Sequence, residues 1–311
     1  MTIQQLEYIL AVEKLRHFGH AAEACFVTQP TLSAQVSKLE RELEVIIFDR
    51  SKMPVIPTEI GELIIMQAKK VVSESKGIYE LVSQMKGDVS GLIKIGIIPT
   101  LAPYLLPLFI QGFIRKYPNV QLQVQDMVTE DIIKKLKNDE LDLGIVVTPL
   151  DEPGIMEQPL FYEKFFAYLS AGNDLLKKSK VSVNEIIKEE LWVLQQGHCF
   201  RDQVLNLCDQ AKFQRMNFHY ESGSLEGLKN MVNRYRGVTL LPELAAQGLN
   251  GEERSRIREF DGQAPVREVS LVLTRRFLKK KLVALLYDEI TACIPEEMFT
   301  NKEGKVVKFK I

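Results

Sequence analysis

The N-terminal part of the chain carries apolar residues at spacings of three and four, a pattern typical of amphipathic helices. This pattern predicts short helices over residues 3–10, 18–25 and 32–43. Residues 47–49 and 55–56, on either side of residues 50–54, predict a small hairpin or wing. Thr58 can cap a longer helix that ends near Met85, and the apolar spacing in that helix fits a heptad seam between two copies of the chain.

After the glycines at 87 and 91 the apolar period changes, and strands alternate with helices. Strands are predicted over residues 92–98, 120–125 and 141–147, with helices over 103–117 and 129–138 between them. The pattern recurs after about residue 162, with strands near 165–169, 192–194, 218–221, 238–241 and 269–273 and a closing helix near 278–294. This alternation predicts an α/β fold in which two lobes built on parallel sheets enclose a cleft.

Composition adds limits to this picture. At 311 residues and 46% hydrophobic content, the chain can form two or more folded domains. It shows neither a continuous apolar run of roughly 18 to 20 residues nor the start of a signal peptide, so we expect a cytoplasmic protein without a membrane partner. Four cysteines, at positions 25, 199, 208 and 293, are too few for a disulfide scaffold, so any disulfide is expected to be transient.

Charge gives no indication of a nucleic-acid partner, because the net charge is −1 and the first 60 residues hold six Lys and Arg against eight Asp and Glu. DNA binding must therefore be inferred from pattern. Thr28 and Pro30 can start a helix whose apolar stripe faces a neighbour, which leaves Thr31, Gln35 and Lys38 on the opposite face. Such side chains suit base edges and phosphates. Spacing alone fits an ordinary three-helix bundle with a polar surface equally well.

The most informative stretch is Gly-His-Cys-Phe-Arg-Asp-Gln at residues 197–203, followed by Cys208. A thiol attacks peroxide only as the thiolate, and Arg201 or a protonated His198 would lower the pKa of Cys199. The resulting sulfenic acid can condense with a second thiol. A buried structural cysteine explains the residue equally well at this point, and a His–Cys pair could also bind zinc together with His219.

Distance constrains any bridge between Cys199 and Cys208. Nine helical residues would separate the two Cα atoms by roughly 13 Å, whereas a disulfide needs about 7 Å or less. If the segment is helical or extended when the thiols are reduced, oxidation must refold it. A change of shape of that kind is what a switch requires.

Thr100 and Thr129 each follow a predicted strand and open a predicted helix. Their hydroxyls are therefore expected at the carboxyl ends of parallel strands, where α/β sheets bind ligands. Simple helix capping explains both residues as well.

Several N-terminal features occur together: Leu-Glu-Tyr-Ile-Leu-Ala-Val at 6–12, Phe18, Ala21-Ala22, Thr-Gln-Pro-Thr-Leu-Ser at 28–33, Lys-Leu-Glu at 38–40, Phe48, Arg50, Thr58 and Gly61. This combination resembles the DNA-binding domain of LysR-type regulators. The run at 197–203, with its spacing to Cys208, is similar to the peroxide-sensing OxyR subgroup of that family. The resemblance extends over essentially the full chain.

The resemblance implies three structural parts and a tail. These are a winged helix-turn-helix DNA-binding domain over residues 1–58, a linker and dimerisation helix over 59–88, and a two-lobed periplasmic-binding-protein-like regulatory domain over 89–300. Lobe I would comprise about 89–162 and 269–300, and lobe II about 163–268. Residues 301–311 are expected to form a mobile, solvated basic tail.

By the same resemblance, Cys199 is the peroxidatic thiol and Cys208 the resolving thiol that bonds to it. The implied peroxide pocket consists of Thr100, Thr129, His198, Arg201, Asp202 and Arg267. The implied DNA contacts are Gln29, Thr31, Ser33, Gln35, Lys38, Arg50 and Lys52. The family implies a homodimer or homotetramer that binds double-stranded operator DNA, responds to hydrogen peroxide, contacts RNA polymerase and is not an enzyme. No cofactor and no metal is expected.

Two alternatives stay open. The chain could be a LysR-type regulator of a small organic ligand, held by Thr100 and the serines at 222 and 224 at helix starts, with the cysteines incidental. It could instead consume peroxide as a thiol peroxidase, although the predicted DNA-binding helices count against that function. Cys25 and Cys293 match no redox position and are expected to be packing residues in their helices.

Overall fold

The computed structural model describes residues 1–85, 89–207, 220, 222–274, 279–300 and 305–307. The chain divides into two compact units, Met1–Asp88 and Val89–Ile311. No helix within the described ranges is long and apolar enough to cross a membrane.

The first unit is a small helical domain with a two-stranded wing. Its elements are α1 (Ile3–Leu15), α2 (Phe18–Ala24), α3 (Gln29–Leu43), β1 (Phe48–Asp49), β2 (Ile56–Pro57) and α4 (Glu59–Met85). β1 and β2 pair antiparallel, which confirms the predicted hairpin. Thr2 caps α1 through a capping box with Gln5, and Thr28 caps α3 ahead of Pro30, so short polar side chains set both helix starts.

The apolar faces of these helices meet in one core. Its fully buried members include Ile9, Val12, Leu32, Val36 and Leu39, and α4 contributes Ile65, Ala68 and Val72. The start of α4 lies against the wing, since a Cβ on Gly61 would be 2.1 Å from the carbonyl oxygen of Ile47. The Thr58 hydroxyl accepts the Gly61 N–H at 3.0 Å, as the sequence predicts for a cap.

The second unit is a mixed α/β structure. Its strands are β3 (Gly91–Ile97), β4 (Val120–Asp126), β5 (Leu143–Thr148), β6 (Ile155–Leu169), β7 (Lys180–Val181), β8 (Val238–Pro242), β9 (Ile257–Phe260), β10 (Pro265–Thr274) and β11 (Lys305–Val306). Its helices are α5 (Ala102–Lys116), α6 (Thr129–Lys137), α7 (Val183–Ile186), α8 (Cys199–Leu207), α9 (Leu225–Arg234), α10 (Glu243–Gln247), α11 (Gly251–Arg254), α12 (Lys280–Ala292) and α13 (Glu297–Thr300), with a 3₁₀ turn at Asp174–Lys177.

The strands follow the order β4-β3-β5-β10-β6-β9-β7, and β8 and β11 pair additionally with β6 and β10. β3 is parallel to β4 and β5, as predicted, whereas β10 is antiparallel to both β5 and β6. The expectation of parallel sheets alone is therefore wrong at the centre. The physical reason is that the chain leaves one lobe along β6 and returns along its neighbour β10, so these two crossings run in opposite directions.

Two apolar cores define the lobes of this unit. One lies between β3, β4 and β5 and the helices α5, α6 and α12, and the other surrounds β8 and α9. Tyr104 of α5 packs against both cores, and its hydroxyl donates to Glu226 of α9 at 3.0 Å. The same residue therefore joins the lobes through apolar and polar contacts.

The C-terminal tail differs from the prediction of a mobile, solvated end. β11 pairs in parallel with Pro265 and Val266 of β10, and Val307 is only 6% exposed. The lysines suggested solvation, but the two valines that follow Lys305 supply the β-branched, apolar side chains that favour a strand. Residues 301–304 and 308–311 lie outside the described part of the chain.

Two predicted strands of the second lobe also differ. The strand expected near 192–194 is reduced to isolated bridges that join Leu191 to Val238 and Leu194 to Ser222. Most of the strand expected at 218–221 lies outside the described residues.

Candidate functional site

Cys199 is the first residue of α8 and is 6% exposed. Its side chain belongs to the first core, whereas its neighbour Phe200 belongs to the second and contacts Phe165 with ring centroids 5.1 Å apart. The thiol therefore lies where the two lobes meet.

The groups around the Cys199 thiol shift its pKa in opposite directions. Burial raises its pKa, and this effect is the largest. The positive charge of Arg267, the Thr129 hydroxyl and the backbone N–H of Phe200 act in the opposite direction, because each stabilises the thiolate. The carboxylate of Asp202 raises the pKa further. The site thus holds a buried thiol beside groups that favour its ionised form.

Arg267, on β10, is fully buried and is held on two sides. Its Nη2 lies 2.6 Å from Oε2 of Glu163 on β6, and its Nη1 donates to the Thr100 hydroxyl at 2.9 Å. Glu163 is also fully buried, and its other carboxylate oxygen accepts the Leu244 N–H at 3.0 Å. The cation near the thiol is therefore fixed by an ion pair between the two strands that cross the lobes.

Glu163 was missed by the sequence analysis. The signal that could have found it is a carboxylate inside the apolar run of β6, between Tyr162 and Phe165. A charged side chain in such a run is rarely buried without a partner.

Thr100 and Thr129 both lie in the interior and are 3% and 4% exposed. Thr129 opens α6, and within the described structure its hydroxyl has no hydrogen-bond partner of ordinary geometry. The same hydroxyl nevertheless lowers the pKa of Cys199. Thr129 therefore favours ionisation of the thiol, and within the described structure its hydroxyl is bound to no other group.

The sequence neighbours of Cys199 are arranged differently from the expectation. His198 is buried, and burial lowers its pKa, so the neutral imidazole is favoured. Arg201 donates to the carbonyl oxygen of Leu194 at 2.6 Å. Burial raises the pKa of Asp202, and the charge of Arg201 opposes that shift. The sequence expected Arg201 or a protonated His198 to lower the pKa of Cys199, whereas the cation that lowers it in the structure is Arg267, a third member of the expected pocket.

Cys208 and His219 lie outside the described residues. Within the described ranges, no group of three His, Cys, Asp or Glu side chains could hold a metal ion. Cys25 is half-buried and packs against the core of the first unit. Cys293, which was expected to pack, is instead exposed at the end of α12.

The candidate DNA-binding surface is the outer face of α3. Gln29, Thr31 and Lys38 are exposed there, and Lys52 is exposed in the wing. The amide oxygen of Gln35 accepts a hydrogen bond from Gln5 at 3.2 Å. This bond does not involve the NH₂ group of Gln35.

Arg50 is engaged within the domain. Its guanidinium donates to Ser33 at 3.2 Å and to Glu40 at 2.9 Å, and it lies 4.8 Å from the ring centroid of Phe18. Arg50 therefore fastens the wing to α3.

Comparisons with known proteins agree with this geometry. Residues 3–62 match the model of the bacterial regulatory helix-turn-helix proteins of the lysR family, and residues 86–293 match that of the LysR substrate binding domain. The chain is 34% identical over 304 residues to the hydrogen peroxide-inducible genes activator of Haemophilus influenzae, a match that covers 98% of this chain and 99% of that protein.

Two solved structures extend the likeness to three dimensions. A cysteine-to-aspartate variant of full-length OxyR from Pseudomonas aeruginosa has a TM-score of 0.79 and 35% identity, over 94% of this chain and 99% of that one. A cysteine-to-serine mutant of Corynebacterium glutamicum OxyR, described as H₂O₂-bound, has a TM-score of 0.62 and 25% identity, over 96% of this chain and 94% of that one. The chain therefore belongs to the LysR family of bacterial helix-turn-helix regulators and, within it, to the OxyR-like group.

Proposed function

We propose that this protein is a peroxide-responsive regulator of transcription whose sensor is the Cys199 thiol. The observation that carries the proposal is the buried thiol at the start of α8, where the two lobes meet; the charge of Arg267 and the Thr129 hydroxyl lower its pKa against the effect of burial. The names of the OxyR-like relatives support hydrogen peroxide as the signal.

The first chemical step is oxidation of one thiolate. The sulfur of Cys199 attacks one oxygen of H₂O₂, the O–O bond breaks, and the departing hydroxide takes a proton to leave as water. The cysteine becomes a sulfenic acid. Arg267, Thr129 and the Phe200 N–H stabilise the negative charge on sulfur before attack. Thr100 fixes Arg267, and His198, Arg201 and Asp202 complete the proposed pocket.

The second step is condensation with Cys208, in which the sulfenic oxygen leaves as water and an S–S bond forms. This step requires α8 to unwind. In a nine-residue helix the Cα atoms of the first and last residues are about 12 Å apart, and one further residue adds at most about 3.8 Å of reach. A disulfide needs about 7 Å or less. Oxidation and refolding of α8 (Cys199–Leu207) are therefore one event in this proposal.

The output of the switch is a change at DNA. We propose that the surface of α3 and the wing contacts operator DNA through Gln29, Thr31, Ser33, Gln35, Lys38 and Lys52, and at its edge through Arg50, whose bonds to Ser33 and Glu40 also hold the wing against α3. Paired copies, as a homodimer or homotetramer, would shift the spacing of their DNA-binding units when α8 refolds. RNA polymerase is the proposed downstream partner.

The alternative of a small organic ligand has less support, because the groups proposed to bind it are engaged. The Ser222 hydroxyl donates to the carbonyl oxygen of Ser224 at 2.9 Å, and the Ser224 hydroxyl accepts the Glu226 N–H at 3.2 Å. The Thr100 hydroxyl accepts from Arg267.

The test compares DNA footprints before and after one equivalent of peroxide. Genomic fragments bound by the untreated protein serve as probes for Cys199→Ser, Cys208→Ser and the matched control Cys293→Ser, whose thiol is exposed. The footprint of the unsubstituted chain and of the control should change, that of Cys199→Ser should stay fixed, and Cys208→Ser should give no lasting change. A peroxide response in Cys199→Ser equal to that of the unsubstituted chain would refute the proposal.

A further inference from the structure

Val307, near the end of the chain, is bound to the same helix that carries Cys199. Its carbonyl oxygen accepts from Nε2 of Gln203 at 2.8 Å, and its N–H donates to the carbonyl oxygen of Val266 at 2.9 Å. Val307 thus bridges α8 and β10. Residues 305–307, which comprise β11 and Val307, are called the C-terminal strap below.

The side chain of Val307 strengthens this attachment. It is 6% exposed and belongs to the same core as Phe200 and Val204 of α8. Phe200 in turn lies 5.3 Å from the guanidinium of Arg267, measured to the ring centroid. The strap is therefore continuous, through one apolar core, with the surroundings of the thiol.

Gln203 is fully buried, and within the described structure only the NH₂ group of its amide is hydrogen-bonded. The NH₂ group donates to the strap, whereas the amide oxygen has no hydrogen-bond partner within the described structure. A buried acceptor without a partner opposes the helical state of α8, since unwinding would let it find one. The hydrogen bond from Gln203 and the apolar contacts of Val307 act the other way and hold α8 in place.

We propose that the C-terminal strap clasps α8 in its reduced form and that Gln203 is the positioning residue through which it acts. The inference rests on the proposed function, because it assumes that the Cys199–Cys208 disulfide unwinds α8. Unwinding moves Gln203, at the middle of the helix, away from the carbonyl oxygen of Val307. The strap then sets how strong an oxidant the sensor needs: without it, the disulfide forms more readily.

The test measures a redox equilibrium rather than stability alone. The full-length protein is equilibrated with mixtures of reduced and oxidised dithiothreitol. Two protein thiols give two electrons and two protons to the cyclic dithiothreitol disulfide, and one protein disulfide forms. Mass spectrometry of alkylated protein gives the oxidised fraction. The variants are a chain that ends after Gly304, the matched control that ends after Phe309, which keeps the Val307 carbonyl in a peptide bond, and Gln203→Glu, which replaces the NH₂ donor by an oxygen.

The chain that ends after Gly304 should shift the equilibrium constant toward the disulfide by about tenfold or more, as expected from losing one buried valine and one buried hydrogen bond. The control that ends after Phe309 should stay within about twofold of the full chain, or about 0.4 kcal/mol, because it keeps the Val307 side chain and its peptide carbonyl. Gln203→Glu should shift the equilibrium constant in the same direction as the chain that ends after Gly304. Combining Gln203→Glu with that truncation should add little, because both remove the same contact.

A second measurement does not depend on truncation. Trypsin should cut after Lys305 much more slowly in the reduced chain than in the oxidised chain, because the backbone of β11 is paired with β10 before α8 unwinds.

Two outcomes overturn the inference, and they differ from each other. If the full chain forms the Cys199–Cys208 disulfide but both the Gly304 truncation and Gln203→Glu leave its equilibrium unchanged, the strap has no redox role while the proposed function stands. If the full chain forms no such disulfide with peroxide, the proposed function fails and the strap proposal fails with it. Should the truncated chain not fold, Gln203→Glu and the trypsin measurement decide.

Discussion

Replacement of Arg267 by methionine should slow the reaction of Cys199 with peroxide, and the structure allows this effect to be separated from a loss of stability. Arg267 is the cation that most favours the Cys199 thiolate, yet it is also the partner of the fully buried Glu163. Arg267→Met alone removes both functions and leaves the Glu163 charge buried without its partner.

The expected magnitudes follow from these two functions. Removing one partner of a buried ion pair typically costs about 3–5 kcal/mol of stability. A nearby opposite charge typically shifts a pKa by about 1–3 units, and each unit is a tenfold change in thiolate at neutral pH. Arg267→Met should therefore lower both the free energy of unfolding and the rate of Cys199 oxidation, the latter by at least about tenfold.

The double variant Arg267→Met with Glu163→Gln separates the effects. The amide introduced by Glu163→Gln carries no charge but keeps an oxygen that can accept the Leu244 N–H. The double variant should recover most of the lost stability, measured by urea unfolding, and should still react at least about tenfold more slowly than the unsubstituted protein. Arg201→Met should cause a smaller loss of rate, because Arg201 donates to the Leu194 carbonyl.

The assay is trapping of the Cys199 thiol by alkylation at timed intervals after peroxide addition, followed by mass spectrometry of the peptide. The reasoning is refuted if the double variant reacts as fast as the unsubstituted protein, or if Arg201→Met is slower than the double variant.

Three further predictions concern separate parts of the molecule. Burial raises the pKa of Cys199, so its oxidation rate should rise about tenfold per pH unit from about pH 6 to about pH 8, and a rate that is flat over this range would contradict the raised pKa. Glu44, at the end of α3, has a φ of 56°, a conformation that glycine adopts more easily, so Glu44→Gly should raise the free energy of unfolding by about 1 kcal/mol. Glu42→Gly, inside the helix, should lower it by a similar amount. Calorimetry that gives both changes the same sign would contradict this. Lys38→Ala should weaken binding to nonspecific duplex DNA and reduce the slope of log affinity against log salt by about one; an unchanged slope would show that Lys38 contacts no phosphate.

The helices and strands could largely be predicted from the sequence because their signals are local. Thr28, Pro30 and Thr58 set helix starts within a few residues of themselves, and the structure has α3 and α4 begin where these residues indicate. The burial of Thr100 and Thr129 also follows from their place after strands of a parallel sheet.

The cation near the thiol has no such local signal, and only the resemblance to the OxyR subgroup pointed to Arg267. Arg201 and His198 are neighbours of Cys199 in sequence, but the direction of a helical side chain and the burial of the imidazole decide what each can do. Arg267 and Glu163 meet only because β6 and β10 are adjacent and antiparallel, a pairing that no local pattern reveals.

The C-terminal strap illustrates the same limit. Val307 is buried because it packs between β10 and α8. The lysines of the tail, taken alone, do not predict this contact. Long-range packing outweighed local composition at this end of the chain.

The central claim is that Cys199 is the thiol that reacts with peroxide and that it then bonds to Cys208. It is tested most directly by adding about one equivalent of peroxide to the reduced protein, trapping free thiols, and mapping all four cysteines by mass spectrometry. The account predicts a Cys199–Cys208 disulfide with Cys25 and Cys293 still reduced. Free thiols at both Cys199 and Cys208, with peroxide consumed at the exposed Cys293 instead, would contradict it.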